Sequence, residues 1–167
     1  FVPSRGLGDV YKRQELNMLP APFDGLFLSM NVTKTDGKSS LDVDNGTVSF
    51  PFRKLAEDVS NISIGYDKNK FDIRLSAVSR SPYLDYLADD DSETIQEDLD
   101  NNNIRYTDDH TQIDFNLKYK INKNLSLKFD LNNITDEPEF YYWGTPDRLS
   151  QYDEYGTTVS IGLRYTY

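Results

Sequence analysis

The chain has 167 residues, a formal net charge of −10 and no cysteine, which excludes disulfides, thiolate chemistry and cysteine-based zinc sites. Hydrophobic residues make up 37% of the chain, which is low for a soluble protein that fills a core, while aromatic residues reach 13%. No run approaches the roughly 18 consecutive apolar residues of a membrane-spanning helix. Any membrane insertion would therefore use strands.

The first residues differ in character from the rest. Residues 4–14 read SRGLGDVYKRQ, which resembles a translated sequencing adapter. We therefore expect residues 1–14 not to be native and the true N-terminus to lie upstream, so that the native part begins at residue 15. The lack of a signal peptide at the start of this chain then gives no information about secretion.

Alternation of apolar and polar residues dominates from residue 24 onward and predicts six strands. They lie at residues 26–32, 62–66, 71–77, 113–121, 125–131 and 159–167. The last is the most regular, with Val159, Ile161, Leu163, Tyr165 and Tyr167 at its apolar positions. Because successive side chains of a strand point to opposite faces, each strand has one apolar and one polar face. Strands of roughly ten residues can cross a bilayer when tilted.

The connections between these strands alternate in length. Short polar turns lie at 67–69 and 122–124, whereas about 36–58, 81–110 and 136–155 are long and are expected to lack regular structure. This alternation is rare in soluble domains and typical of outer-membrane barrels, which have short periplasmic turns and long extracellular loops. The predicted fold is therefore all-β, an antiparallel up-and-down meander that forms about the last six strands of a transmembrane β-barrel.

Five motifs resemble the C-terminal region of the TonB-dependent receptors, an outer-membrane receptor family of Gram-negative bacteria. They lie at residues 19–26 (LPAPFDGL), 108–114 (DDHTQID), 119–127 (YKINKNLSL), 132–138 (NNITDEP) and 155–167 (YGTTVSIGLRYTY). NNITDEP is the most specific, and together the motifs extend over nearly all of residues 19–167. The family's plug domain, its coupling segment and about sixteen strands have no counterpart here, so the resemblance implies a C-terminal fragment of a 22-strand barrel.

The resemblance implies an integral protein of the bacterial outer membrane, with its long loops outside and its C-terminus in the periplasm. It implies energy-coupled uptake of a scarce ligand, such as siderophore-bound iron, haem, a corrinoid or an oligosaccharide. The implied partners are outer-membrane lipid, the barrel-assembly machinery, a small ligand and, through the missing N-terminal region, the TonB energising complex; no nucleic acid is expected. The resemblance also implies that a C-terminal assembly signal is formed by Val159, Ile161, Leu163, Tyr165 and Tyr167.

Two alternatives stay open. The first is an outer-membrane barrel without transport coupling, such as an adhesin or a barrel-anchored enzyme. The second is a soluble β-sandwich that acts as a binding module.

Residues that could perform chemistry are few. No paired carboxylates, nucleophile elbow or phosphate loop appear, so we expect no enzyme, no catalytic residue and no cofactor. His110 has no partner at ligand spacing, and the segment DVDNG at 42–46 is only part of a calcium loop, so no metal site is expected.

The last long connection contains the predicted ligand contacts, which are Tyr141, Tyr142, Trp143 and Arg148. Exposed aromatic rings can stack on a sugar or an aromatic chelator, and an arginine can hold a carboxylate. The alternative is that these residues belong to the outer aromatic girdle and to packing within the loop.

Acidic residues are concentrated in one connection, where ten acids stand against a single base, Arg105, between residues 81 and 109. We interpret the acidic run at 89–100 as a solvated and mobile segment. Binding of divalent cations and repulsion of anionic ligands are the alternatives.

Overall fold

A computed structural model describes residues 6–43, 46–87 and 92–167. In chain order they form β1 (Gly6–Glu15), a 3-10 helix (Phe23–Gly25), β2 (Leu26–Asp36), β3 (Lys38–Val43), β4 (Gly46–Pro51), β5 (Asp58–Lys68), β6 (Phe71–Arg80), β7 (Tyr83–Leu87), α1 (Ser92–Asp100), β8 (Ile104–Thr107), β9 (His110–Lys120), β10 (Leu125–Asn132), β11 (Glu139–Trp143), β12 (Leu149–Asp153) and β13 (Thr158–Tyr165). The fold is all-β with antiparallel sheets, as the alternation predicts. None of the described helices is long and apolar enough to cross a membrane.

The largest sheet has seven strands in the order β1-β2-β5-β6-β9-β10-β13. Its last six strands are the six that the sequence predicts, and each pairs antiparallel with its neighbours. Their order in the sheet follows their order in the chain, as an up-and-down meander requires. Within the described residues no sheet closes into a barrel, so β1 and β13 are edge strands.

The ends of this sheet differ in the length of their connections. Residues 69–70 join β5 to β6, residues 121–124 join β9 to β10, and residues 16–25 join β1 to β2, all at one end. The three long connections leave from the opposite end. The predicted boundaries of all six strands are inexact: for example, Asp67 and Lys68 belong to β5, and the terminal strand ends at Tyr165 rather than at residue 167.

The expectation that the long connections lack regular structure is wrong. Residues 37–57 contain the hairpin of β3 and β4. Strands β7, β8, β11 and β12, from the other two connections, form a four-stranded sheet in the order β12-β11-β8-β7. We call this the loop sheet. Residues 92–100 of the acidic run form α1, while 88–91 lie outside the described residues; the mobility expected for this run stays a prediction.

The buried core of the described residues lies among these connections and not in the seven-stranded sheet. Its members are apolar side chains from β4, β7, α1 and β8, namely Val48, Leu84, Leu87, Ile95 and Ile104. In α1, Ile95 and Leu99 are one helical turn apart and so share the face that packs on this core. Residues from four elements therefore provide enough apolar surface to order the connections.

The seven-stranded sheet has one apolar face that is open. One row of cross-strand neighbours passes through six strands without a polar residue: Leu28, Ile64, Leu75, Phe115, Leu131 and Val159. Exposure is high on this face, at 49% for Ile64 and 73% for Ile161. We call this surface the apolar face. Soluble monomers rarely expose continuous apolar surface of this extent.

Strand β1 breaks the pattern of the other six. Its register places Lys12 opposite Met30 and Gln14 opposite Leu28, on the apolar face. Its Tyr11 lies on the polar face, opposite Asn31. The expectation that residues 1–14 are not native stays a prediction.

Phe27 lies on the polar face, where it is only 3% exposed. Its ring lies against Gly65, because a Cβ built at Gly65 would come within 2.3 Å of the Phe27 Cζ atom and 2.8 Å of the Ile73 carbonyl oxygen. The guanidinium groups of Arg13 and Arg74 lie 4.3 Å and 5.5 Å from the centre of the ring. Because residue 65 is a glycine, the Phe27 ring can lie this close to the backbone of the sheet.

The substitution Gly65→Ala is expected to destabilise the sheet by about 1–3 kcal/mol, because the new methyl group must displace the Phe27 ring. Denaturant unfolding in uncharged detergent micelles, followed by circular dichroism, measures this. Gly162→Ala is the matched control, since nothing lies within 4 Å of a Cβ built there. Equal unfolding midpoints for the two variants would contradict the packing role of Gly65.

Candidate ligand-contact site

The loop sheet has two faces of different character. On one face Tyr142 is 8% exposed and stacks on Tyr106 with ring centroids 5.6 Å apart. Burial raises the pKa of the Tyr142 phenol. The Tyr142 ring is thus largely covered by packing within the loop sheet.

Tyr141 and Trp143 lie on the other face, because neighbours in a strand alternate. The ring of Trp143 meets the ring of Tyr86 edge to face, with centroids 6.5 Å apart. The hydroxyl of Tyr141 donates a hydrogen bond to Glu139 Oε2 at 2.5 Å. That bond raises the pKa of Tyr141 far above its ordinary value, because ionisation would place two anions together.

Two arginines cross this face, and each is paired with a carboxylate. Arg105 donates from Nε to Asp85 Oδ2 at 2.7 Å and also pairs with it through Nη2. Its guanidinium lies 5.1 Å from the centre of the Tyr141 ring. Arg80 lies 5.0 Å from the centre of the Tyr83 ring and contacts Glu139 at 3.4 Å. Aromatic rings and paired charges therefore alternate on this face. We call it the aromatic face and define it by Tyr83, Tyr86, Arg105, Tyr141 and Trp143.

Arg148 lies in the turn between β11 and β12. Its carbonyl oxygen accepts a hydrogen bond from the Trp143 N–H at 2.9 Å, and its Nη1 donates to the Asn102 carbonyl at 3.2 Å. The structure thus places three of the four predicted residues around one edge of the aromatic face, with Tyr142 beneath it. Their role as ligand contacts stays a prediction.

Sequence reasoning missed Tyr83, Tyr86 and the pair of Asp85 with Arg105. The available signal was that Arg105 is the single base among ten acids, which indicates a specific partner. Tyr83 and Tyr86 gave no signal, because a register shift between Leu84 and Tyr86 interrupts their alternation. A second shift falls between Tyr141 and Tyr142.

No cluster of histidine, aspartate and glutamate that could hold a metal occurs within residues 6–43, 46–87 and 92–167. Residues 44 and 45 of the DVDNG segment lie outside these ranges. His110 is the first residue of β9 and pairs with Arg80. Thr47 Oγ1 donates to Asp42 Oδ1 at 2.8 Å across the β3–β4 hairpin.

Comparison of the chain with protein-family models, with curated proteins and with solved structures finds no match. The site is therefore interpreted from its own geometry.

Replacing Arg105 with Met should lower the free energy of unfolding of the loop sheet by about 3 kcal/mol, because the Asp85 carboxylate, 7% exposed, loses its counter-charge. Trp143 is the single tryptophan of the chain, so its fluorescence during denaturant unfolding reports on this sheet. Arg148→Met is the control, with an expected loss below about 1 kcal/mol. Adding Asp85→Asn to Arg105→Met should recover part of the loss; no recovery would show that the ion pair is not the cause.

Proposed function

We propose that the chain is the C-terminal part of an outer-membrane transport receptor of the TonB-dependent kind. In this proposal the seven-stranded sheet is barrel wall, its apolar face meets lipid, and the long connections contact the ligand. The observation that carries the proposal is the open apolar face, which continues through six strands in register. The motifs at 19–26, 108–114, 119–127, 132–138 and 155–167 support the choice of family.

The exposure of the apolar face favours lipid over water. Ten apolar side chains of β2, β5, β6 and β13 on it are more than 40% exposed: Leu28, Met30, Ile62, Ile64, Phe71, Leu75, Val159, Ile161, Leu163 and Tyr165. A β-sandwich packs a second sheet on such a face at about 10 Å. In the described residues the loop sheet instead forms its own core with α1 and β4. In a closed barrel the apolar face would point outward, where the hydrocarbon of the bilayer covers it.

The two ends of the sheet differ in the length of their connections, and this difference supports one orientation of the sheet in the membrane. Outer-membrane barrels have short turns in the periplasm and long connections outside. By this rule the turns at 69–70 and 121–124 and the end of β13 are periplasmic, and the loop sheet is extracellular. The ligand would then meet the aromatic face from outside the cell.

The chemistry of the aromatic face favours a ligand with an uncharged surface. Arg80 and Arg105 are already paired with Glu139 and Asp85, so an anionic ligand would have to displace a carboxylate that is held close to each. Tyr141 and Trp143 offer ring surface that needs no displacement. Among the ligands that the resemblance implies, a sugar ring fits this face better than a carboxylate-rich chelator does.

Two neighbouring residues of β6 test the lipid-facing wall with minimal substitutions. Ala77 lies on the apolar face opposite Ile62, and Ser76 lies on the polar face opposite Ser63. The chain has no cysteine, so Ala77→Cys and Ser76→Cys each create a unique site for a spin label. In phospholipid bilayers, dissolved oxygen should accelerate the relaxation of the spin label at residue 77. A water-soluble nickel chelate should accelerate the relaxation of the label at residue 76. Equal access of the nickel chelate to both labels would refute the proposal.

The upstream reading frame distinguishes a transport receptor from a barrel without coupling. A receptor requires a plug domain and a segment for the energising complex ahead of the barrel. We expect both to be encoded upstream of residue 15. A complete reading frame that encodes barrel strands but no plug would favour the adhesin or anchored enzyme.

A further inference from the structure

A basic cavity lies at the end of the seven-stranded sheet that has the short turns. Its volume is about 300 Å³, and β9, β10, the turn between them and the end of β13 form its walls. Four cations line it, namely Lys118, Lys120, Lys123 and Arg164, together with hydroxyl and amide side chains, and no acidic residue lines it. Since the long connections are at the opposite end, this cavity is separate from the aromatic face.

The four cations have no partner among the described residues. Elsewhere in the described part of the chain Lys34, Lys68, Arg80 and Arg105 each pair with a carboxylate. The chain carries 28 acidic residues against 18 lysines and arginines, so acids are in excess. A shortage of acids therefore does not explain why these four cations in one concave site are unpaired.

The register of the strands holds these charges together. Lys118 lies directly opposite Lys128 on β10, which repels it, and directly opposite Asp72 on β6, which attracts it. In the next row Ser126 lies between Lys120 and Arg164, with one neighbour on each side. The acids nearest in register, Asp72 and Asp130, line a neighbouring cavity of about 290 Å³, which Lys118 also lines. Within the basic cavity itself, an anion would offset the charges of Lys120, Lys123 and Arg164, which no acid lining the cavity offsets.

Hydrogen bonds fix the wall of the cavity before any ligand arrives. Asn122 Oδ1 accepts hydrogen bonds from the backbone N–H groups of Asn124 and Leu125, both at 2.9 Å. The Nδ2 of Asn124 donates to the Thr166 carbonyl at 2.6 Å, and the Thr166 N–H donates to the Asn124 carbonyl at 2.8 Å. These bonds tie the turn to the end of the chain, so Lys123 and Arg164 border one fixed site.

We propose that the basic cavity binds a phosphate-bearing anion. Lysine ammonium groups act as point charges toward phosphate oxygens, and the arginine fork can bind two of them at once. A group with several negative charges matches four cations better than a single carboxylate does. The phosphate belongs either to a soluble oligophosphate or to the headgroup of an anionic lipid at the membrane surface.

Calorimetric titration of the full chain with inorganic pyrophosphate, in uncharged maltoside micelles, tests the proposal. The variant Lys120→Gln with Arg164→Gln should bind at least about tenfold more weakly than the wild type, because two charge-assisted contacts are lost. The control Lys38→Gln with Lys54→Gln removes the same charge far from the cavity and should bind as the wild type does. The swap Lys120→Arg with Arg164→Lys keeps both charges and should retain binding. Added sodium chloride should weaken binding in every case.

A parallel titration with micelles that contain phosphatidylglycerol separates the two sources. Pyrophosphate binding that is lost only in the Gln variant indicates a soluble phosphate ligand. Phosphatidylglycerol binding that is lost only in that variant, with no pyrophosphate binding, indicates a lipid headgroup. Absence of both, or an equal loss in the control with Lys38→Gln and Lys54→Gln, overturns the proposal. Unchanged strand content in circular dichroism confirms that the Gln variant is folded.

Discussion

The register of six antiparallel strands is the constraint on which the rest of the structure depends. Because side chains alternate with a period of two, a slip of one residue between neighbouring strands would move a whole row of apolar side chains to the other face. The observed register keeps the apolar residues aligned from Leu28 through to Val159. The same register gathers cations on the opposite face, at Lys118 and Lys128. The apolar face and the basic cavity thus follow from one arrangement.

The sequence was sufficient to predict six of the seven strands of the large sheet; the exception is β1, which falls almost entirely in the segment expected not to be native. Each of the six has three to five alternating apolar positions, which is a strong signal for a strand with one apolar face. The turn at 122–124 was equally readable, because asparagine side chains hydrogen-bond the backbone of a turn, as Asn122 does here. The end of the last strand was placed two residues too late, since hydrogen bonding to β10 ends at Tyr165 while the alternation continues.

The loop sheet could not be predicted, for physical reasons. Strands β8, β11 and β12 have only four or five residues each, and shifts of register interrupt the alternation beside Asp85 and Tyr142. Its core joins residues far apart in the chain, such as Val48 and Ile104. Of the candidate site, the sequence identified the aromatic cluster of Tyr141 to Trp143 but not which ring is buried. That depends on the stacking of Tyr142 on Tyr106.

The terminal strand combines the main features of the account. Among the described strands it pairs only with β10, and both of its faces are exposed, with Leu163 at 69%. An unpaired edge with an apolar face invites association with another strand or with lipid. The assembly signal predicted for Val159, Ile161, Leu163, Tyr165 and Tyr167 would act through this exposed surface and stays a prediction. The same strand brings Arg164 to the basic cavity.

The central claim is that the apolar face requires a lipid-like cover, and sedimentation velocity of the chain with and without detergent tests it most directly. In aqueous buffer we expect association into large aggregates, because the apolar face and two strand edges are open. In uncharged detergent we expect a monodisperse species with high strand content. A monodisperse monomer in buffer without detergent would contradict the account.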